Sequence, residues 1–175
     1  SQYTAKTILF ATGTKWRKLE VQGSKEFENK GISYCALCDA PLFRGKIVAV
    51  VGGSDNAAKD ALFLSKYAKK VYMIYRGKEI HPEPINHERI RKNKKIEIIN
   101  NTNVTKINGE NFVENVSLDK TYKGSKKLKL DGIFVAIGHI ILSDLAKPLG
   151  VRLNKNGEIK INHMTSETNV PGIFA

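Results

Sequence analysis

Three features of the sequence predict an α/β chain in which a parallel sheet carries a helical layer and an antiparallel meander. Two unbroken apolar runs, Lys46-Ile47-Val48-Ala49-Val50-Val51 and Val71-Tyr72-Met73-Ile74-Tyr75, have the pattern of strands buried on both faces. Between them, from Asp55 to Lys70, Ala57, Ala61, Leu64 and Ala68 recur at the three- and four-residue steps of a helix. Lys69-Lys70 stands at its end, where the helix dipole favours cations. Strand, helix and strand in this order make a βαβ unit, which implies an open parallel sheet. Further on, Asn108-Gly109 marks a hairpin between Val104-Thr105-Lys106-Ile107 and Phe112 to Leu118.

The remaining elements follow in order. Thr7-Ile8-Leu9-Phe10-Ala11 reads as a buried strand that enters a turn at Thr12-Gly13-Thr14. A polar connector containing Gly23 leads to Gly31-Ile32-Ser33-Tyr34 and then to the two cysteines. Beyond Pro84 a short helix is expected around Ile85 to Arg91, and Ile96-Glu97-Ile98-Ile99 repeats the buried-strand pattern. After a basic segment, Lys123 to Lys129, the run Gly132 to Gly138 is again an all-apolar strand ended by glycine. Gly150 to Ala175 reads as short strands joined by turns.

Composition narrows the function classes. A chain of 175 residues with 41% hydrophobic content has the size of one ordinary globular domain, which excludes disorder and needs no metal or disulfide staple. No apolar stretch approaches the roughly 20 residues of a membrane-spanning helix, and Ser1 to Lys6 lacks a signal-peptide layout, so a soluble, cytoplasmic protein is expected. The net charge of +12 comes in part from the doublets Lys69-Lys70, Lys94-Lys95 and Lys126-Lys127, without the interleaved aromatics that stack on bases. These are read mostly as solvated faces and not as a nucleic-acid surface. The alternative is a field that steers an anionic cofactor or an acidic protein.

The two cysteines form a single motif, Cys35-Ala36-Leu37-Cys38. A secreted disulfide framework would spread its cysteines, and a structural zinc site would need a second ligand pair. In an intracellular chain beside a βαβ pattern, C-x-x-C points to a redox dithiol; two buried cysteines at chance spacing, or half a zinc site, are the alternatives. His81, His87, His139 and His163 are isolated, and no metal site is expected from them.

Gly52-Gly53-Ser54-Asp55-Asn56-Ala57 follows a strand and opens a helix, the setting in which backbone amides and a helix N-terminus receive a phosphate. The pattern is G-x-S-x-x-A in place of G-x-G-x-x-G/A, and Ser54 either crowds the pyrophosphate or offers it a hydroxyl. A strand–turn–helix without any ligand is the plain alternative. At the end of the next strand, where an acid would hold a free ribose 2′-OH and an arginine a 2′-phosphate, the chain has Tyr75-Arg76-Gly77-Lys78 and no acid until Glu79. NADPH is therefore expected over NADH, unless Arg76 and Lys78 are simply solvated. The fold class is then a Rossmann-like, three-layer nucleotide-binding domain with a β meander.

Taken together, the turn at Thr12-Gly13, Cys35 to Asp39, the cluster Gly52 to Ala57, Arg76, the stretch Ala136-Ile137-Gly138-His139 and the tail Thr168 to Ala175 resemble the low-molecular-weight, flavin-containing thioredoxin reductases. The resemblance covers essentially the whole chain. It implies a flavoprotein in which an NADPH domain is inserted into an FAD domain, with residues 1–20 closing the first FAD segment, 21–140 forming the NAD(P)H domain with the dithiol, and 141–175 opening the second FAD segment. The flanking strands would then be an incomplete FAD domain. The family's N-terminal G-x-G-x-x-G and a Gly-Asp beyond Ala175 are not among these residues, so the chain is expected to be an excised central portion, inactive and free of FAD by itself.

By the same resemblance, electrons pass from NADPH through FAD to the Cys35–Cys38 disulfide and on to a thioredoxin-like protein, and the longer protein is a homodimer. Cys38 matches the cysteine that faces the flavin, Cys35 the one that attacks the partner, and Asp39 the acid–base residue, with a turn or cap role as its alternative. Cofactor contacts are implied for Thr12, Gly13, Gly52, Gly53, Ser54, Asp55, Asn56, Ala57, Tyr75, Arg76, His81, Ile137, Gly138 and His139. The family pattern places His-Arg-Arg and a further Arg at the 2′-phosphate, where this chain has Tyr75, Arg76, Gly77 and His81. Leu37 and Ala40 stand for the usual Thr and Gly, and Ser54 and Lys59 for a Gly and a Glu. Two other functions compete: the NADH-dependent reductase component of a peroxidase, and a nucleotide-binding redox sensor without flavin turnover.

Overall fold

A computed structural model describes residues 4–175. In chain order its strands are β1 (Ile8–Leu9), β2 (Thr14–Trp16), β3 (Ile32–Ser33), β4 (Ile47–Val51), β5 (Lys70–Ile74), β6 (Ile96–Ile99), β7 (Val104–Gly109), β8 (Val113–Tyr122), β9 (Ser125–Lys129), β10 (Gly132–Val135), β11 (His139–Ile141) and β12 (Ile173–Phe174). The α-helices are α1 (Ala36–Asp39), α2 (Asp55–Leu64) and α3 (Pro84–Lys92). The chain divides into two compact units, one of residues 1–17 and 138–175, the other Lys18–Ile137.

The larger unit is built on a five-stranded sheet in the order β3-β10-β4-β5-β6, with every neighbouring pair parallel. Successive side chains of a strand point to opposite faces, and β4 shows how both are used. Val48 and Val50 join Val71, Met73 and Phe134 under Ala57, Ala58, Ala61 and Leu64 of α2 and Ile90 of α3. Ala49 and Val51 join Ile74, Ile99, Ile133 and Val135 against Ile107, Val113, Val116 and Leu128 of the antiparallel sheet β7-β8-β9. Helices, parallel sheet and meander are thus three layers, which is why the parallel strands read as unbroken apolar runs.

Several elements differ from expectation. The helix α2 ends at Leu64, not Lys70. Ala68 N–H returns to the Leu64 carbonyl and Lys70 is already the first residue of β5. The cation at the helix end is Lys95, whose Nζ donates to the carbonyls of Ser65 at 3.0 Å and Ala68 at 3.1 Å. The basic segment Lys123 to Lys129 is largely a strand, β9: Tyr122 faces Ser125 across a two-residue turn in which Lys123 and Gly124 have φ of 48° and 83°. That double positive φ is the twist-matched hairpin geometry, here without the Asn-Gly that usually announces it. The hairpin expected at Asn108-Gly109 is present as the antiparallel pair β7 and β8, with Gly109 as the last residue of β7 beside a register shift.

In the smaller unit, β1 pairs with β12 in parallel and β2 with β11 in antiparallel fashion. The first strand is shorter than its apolar run and exposed, with Leu9 at 69%. Among the described residues of this unit only Ala146, Val151 and Ile173 form a buried cluster, joined by Phe10, Ile159 and Val170, so apolar content alone did not determine the burial of the first strand. No helix among the described residues is long and apolar enough to cross a membrane.

Glu97 on β6 ties the hairpin to the sheet: Lys70 Nζ lies 2.7 Å from one carboxylate oxygen, and Lys123 and the Tyr122 hydroxyl reach the other. Contacts from Lys123, Lys70 and Tyr122 lower its pKa to about 2 from 4.5. A folded-state value below the unfolded one means that this contribution is complete above about pH 4.5 and is lost as pH falls towards 2. We expect Glu97→Gln to lower stability by about 1 kcal/mol at pH 7 and to flatten the acid limb of urea midpoints between pH 5 and 2. An unchanged acid limb would exclude this cluster as its source.

Candidate functional site

All five parallel strands leave the larger sheet on one carboxyl-end edge, and the predicted residues of this unit gather there. Open parallel sheets take ligands at that edge, where the crossovers diverge to either side. At this edge the ends of β4 and its parallel neighbour β10 lie side by side. At the end of β4, a Cβ on Gly52 would sit 2.3 Å from the Ala136 carbonyl oxygen and 3.1 Å from Ala57 Cβ, and its φ is 149°. Only glycine lets the turn lie this close to the end of β10 and the start of α2. Gly53 is just as constrained: its Cβ would be 2.5 Å from the Tyr75 ring.

Ser54 caps α2 with extended backbone, but its hydroxyl makes no capping bond. Ala57 is fully buried beneath the turn and Asn56 is exposed. The Asp55 carboxylate is engaged within the protein. Its Oδ1 accepts from the Glu83 amide at 2.9 Å and from Asn86 Nδ2 at 2.8 Å, and Lys59 Nζ lies 2.7 Å from Oδ2. Asn86, Lys59 and the Glu83 amide hold this carboxyl at about 2. The residue joins the first turns of α2 and α3. Buried Asn86 was not read as part of the site, and no sequence signal connects positions 31 residues apart.

The dithiol follows β3. Cys35 is the N-cap of α1 and its Sγ accepts from the Cys38 amide at 3.2 Å, so the short helix starts on the cysteine itself. Cys35 and Cys38 form a disulfide with Cα atoms 5.3 Å apart. Neither cysteine is fully buried, and Cys38 is exposed. Ser33 organises the pair: its hydroxyl donates to Asp39 Oδ2 at 2.6 Å and accepts from the Cys35 amide at 3.1 Å. Asp39 is therefore held next to the disulfide by a 5% exposed serine that lies outside every predicted motif. The signal was available, since a serine two residues before the motif readily bonds a following amide.

Of the remaining predicted residues, Tyr75, Arg76 and His81 lie around the glycine turn. His81 N–H donates to the Gly53 carbonyl at 2.8 Å, the Tyr75 hydroxyl is 3.3 Å from His81 Nδ1, and Arg76 is exposed. Ile137 packs on the core cluster beneath the meander. Thr12, Gly13, Gly138 and His139 belong to the other unit. There the Thr12 hydroxyl donates to the Leu142 carbonyl, Leu142 N–H donates to Gly13 O at 3.1 Å, Arg17 N–H donates to Gly138 O at 3.0 Å, and the rings of His139 and Trp16 are 4.4 Å apart. Among the described residues no cluster could hold a metal ion.

A family model described as pyridine nucleotide-disulphide oxidoreductase matches residues 1–175. The chain belongs to this family. Its similarity to a Bacillus subtilis thioredoxin reductase is 38% identity over 176 residues, 99% of this chain and 55% of that protein. It is 37% identical over 172 residues to an alkyl hydroperoxide reductase component of Staphylococcus epidermidis, covering 98% of this chain and 34% of that protein. Superposition on the crystal structure of the T. acidophilum thioredoxin reductase gives a TM-score of 0.86 at 35% identity, over 99% of this chain and 57% of that one. The chain thus spans about half the length of the thioredoxin reductases it matches.

For a member of this oxidoreductase family, the disulfide should open and close reversibly. We expect about two thiols per chain in the reduced, unfolded protein and none after mild oxidation, without a covalent dimer. Thiols that persist after oxidation would contradict the pairing. Ser33→Ala should destabilise the oxidised protein by about 1–2 kcal/mol in urea, because the Cys35 amide loses its acceptor and the Asp39 carboxylate a donor.

Proposed function

We propose that this chain is the nucleotide- and dithiol-bearing part of a thioredoxin reductase-like flavoenzyme that passes electrons from NADPH to a thioredoxin-like disulfide protein, and that the longer protein is a homodimer. The observation that carries this reading is the placement of a C-x-x-C disulfide and a glycine turn on the same edge of one parallel sheet. Only β10 separates their strands, and α1 packs on α2. The turn suits a dinucleotide because neither Gly52 nor Gly53 has room for a Cβ, and a pyrophosphate can approach the backbone amides of Gly53 to Asn56.

When bound, the nicotinamide supplies a hydride and the flavin of the longer protein relays its electron pair. This chain's residues bind the nucleotide and handle sulfur and protons. Arg76 is assigned to the 2′-phosphate. Two electrons and two protons convert the Cys35–Cys38 disulfide into two thiols. The Cys35 thiolate then attacks the partner disulfide, forming a mixed disulfide and releasing one partner thiolate, and Cys38 displaces the second while the Cys35–Cys38 bond re-forms. Asp39, oriented by Ser33, is the group placed to take and return the proton.

The likeness to a component of an alkyl hydroperoxide reductase supports a second reading, the reductase component of a peroxidase, for which the sequence resemblance implies NADH. Calorimetric titration separates the two. A charge-assisted arginine contact to a dianionic phosphate is worth about tenfold in affinity, so the wild type should prefer NADPH by roughly that factor and Arg76→Ala should erase the preference. Equal or tighter NADH binding by the wild type would favour the second reading.

A further inference from the structure

The parallel register collects lysines at the edge of the larger sheet opposite the glycine turn and the disulfide. The strands β4, β5 and β6 are neighbours about 4.8 Å apart, and the chain enters them through Lys46, Lys69-Lys70 and Lys94-Lys95. Their backbones are joined there: the Lys69 amide donates to Lys46 O at 2.8 Å and the Val71 amide to Lys95 O at 2.9 Å. Within each doublet the second lysine is engaged. Lys70 pairs with Glu97, and Lys95 donates to the carbonyls at the end of α2. The first, Lys69 or Lys94, is exposed like Lys46, and none of these three has an ionic partner among the described residues. Protection of a helix end and of a sheet edge thus accounts for Lys95 and Lys70 and leaves the outer row unexplained.

Beside this row the fold assembles what the order of residues does not show, aromatic rings among the cations. Arg44 Cζ lies 5.3 Å from the centre of the Tyr67 ring, the Tyr67 and Phe63 rings are 5.5 Å apart, and Lys66 Nζ lies 5.4 Å from the centre of Phe63. Gly45 N–H donates to Tyr67 O at 3.0 Å, which fixes the Arg44 segment beyond the end of α2. Both rings are half-buried and both cations exposed. The acids at the starts of β10 and β6 are engaged: Asp131 Oδ2 accepts from the Ile47 amide at 2.8 Å, and Glu97 is held by Lys70 and Lys123.

We propose that this edge binds single-stranded nucleic acid: Lys46, Lys69 and Lys94 hold phosphates of the strand, and Arg44 with the Tyr67–Phe63 pair receives a base. The inference goes beyond the nucleotide and dithiol reading and does not depend on it. A row of unpaired cations beside planar groups matches a strand whose phosphates repeat along its length and whose bases are unstacked, because every base has a face that stacks on a ring or on a guanidinium plane. An acidic protein would use the charges and not the rings. A membrane surface is held most firmly by charge together with an inserted apolar face, whereas both rings here are half-buried beside cations.

The test is fluorescence anisotropy of a labelled oligouridine of roughly 10 nucleotides, titrated with the chain at salt concentrations from about 50 to about 200 mM. The variant carrying Lys46→Gln, Lys69→Gln and Lys94→Gln should bind at least about tenfold more weakly than wild type and flatten the slope of log affinity against log salt by about 2, the share of three phosphate contacts. Tyr67→Leu should lose about tenfold with the slope unchanged. Arg44→Gln, at an exposed position that leaves the half-buried rings in place, should also weaken binding, with a slope change of about 0.7. Lys126→Gln with Lys127→Gln, an equally charged doublet on β9, should stay within about twofold of wild type. No saturable binding by wild type at about 50 mM salt, or equal losses in the row variant and the β9 control, would overturn the proposal. Unchanged affinity in both Tyr67→Leu and Arg44→Gln would overturn the base contact and with it the choice of nucleic acid. Tighter binding of polyglutamate or of phosphatidylserine vesicles than of oligouridine would assign the edge to an acidic protein or to a membrane instead. Saturating NADP+ should leave the oligouridine affinity unchanged. Displacement by NADP+ would place the strand at the glycine turn and overturn the assignment, whereas failure of NADP+ to bind would count against the nucleotide reading alone.

Discussion

Gly52 and the carbonyl of Ala136 lie closer than any side chain would allow, and the geometry of the site follows from that contact. It is made where β4 and β10, parallel hydrogen-bonded neighbours, end side by side. Because the strands are parallel, the release of β3 into the cysteine helix and of β5 into the Tyr75 loop occurs on the same edge. One backbone approach thus sets the depth of the glycine turn against which Tyr75, His81 and α2 are packed.

The polar contacts around this edge divide into those that build and those that remain free. Asp55 is the clearest builder: its carboxylate is used by Glu83, Asn86 and Lys59 and joins two helices. Ser54 is the opposite case, a cap whose hydroxyl has no capping bond. Ser33 donates to Asp39 and accepts from the Cys35 amide, which fixes Asp39 relative to Cys35. Orientation is therefore supplied by residues one step removed from the disulfide sulfurs.

Much of the architecture was legible because buried parallel strands must be apolar throughout, as in Ile47 to Val51 and Val71 to Ile74. The dithiol and glycine turn were legible because their chemistry is local in sequence. What was missed is non-local or too short to carry a period. The strands β2, β3 and β11 have two or three residues each. The strand β9 was hidden by lysines on its exposed positions, with Leu128 as its single buried residue. The end of α2 was overestimated because its alanine pattern runs on through a turn, and the lysine that satisfies the last carbonyls comes from position 95. Burial of the first strand depends on what covers it, which no periodicity encodes.

The flanks of the parallel sheet are closed in different ways. On one side β3 has only two residues before Cys35 starts a helix. On the other, β6 carries Glu97 with the ammonium groups of Lys70 and Lys123 drawn onto it. Short edges and charged edges both discourage a foreign strand from docking. Growth of the sheet by β-augmentation, and the amyloid-like stacking that begins the same way, are thereby disfavoured.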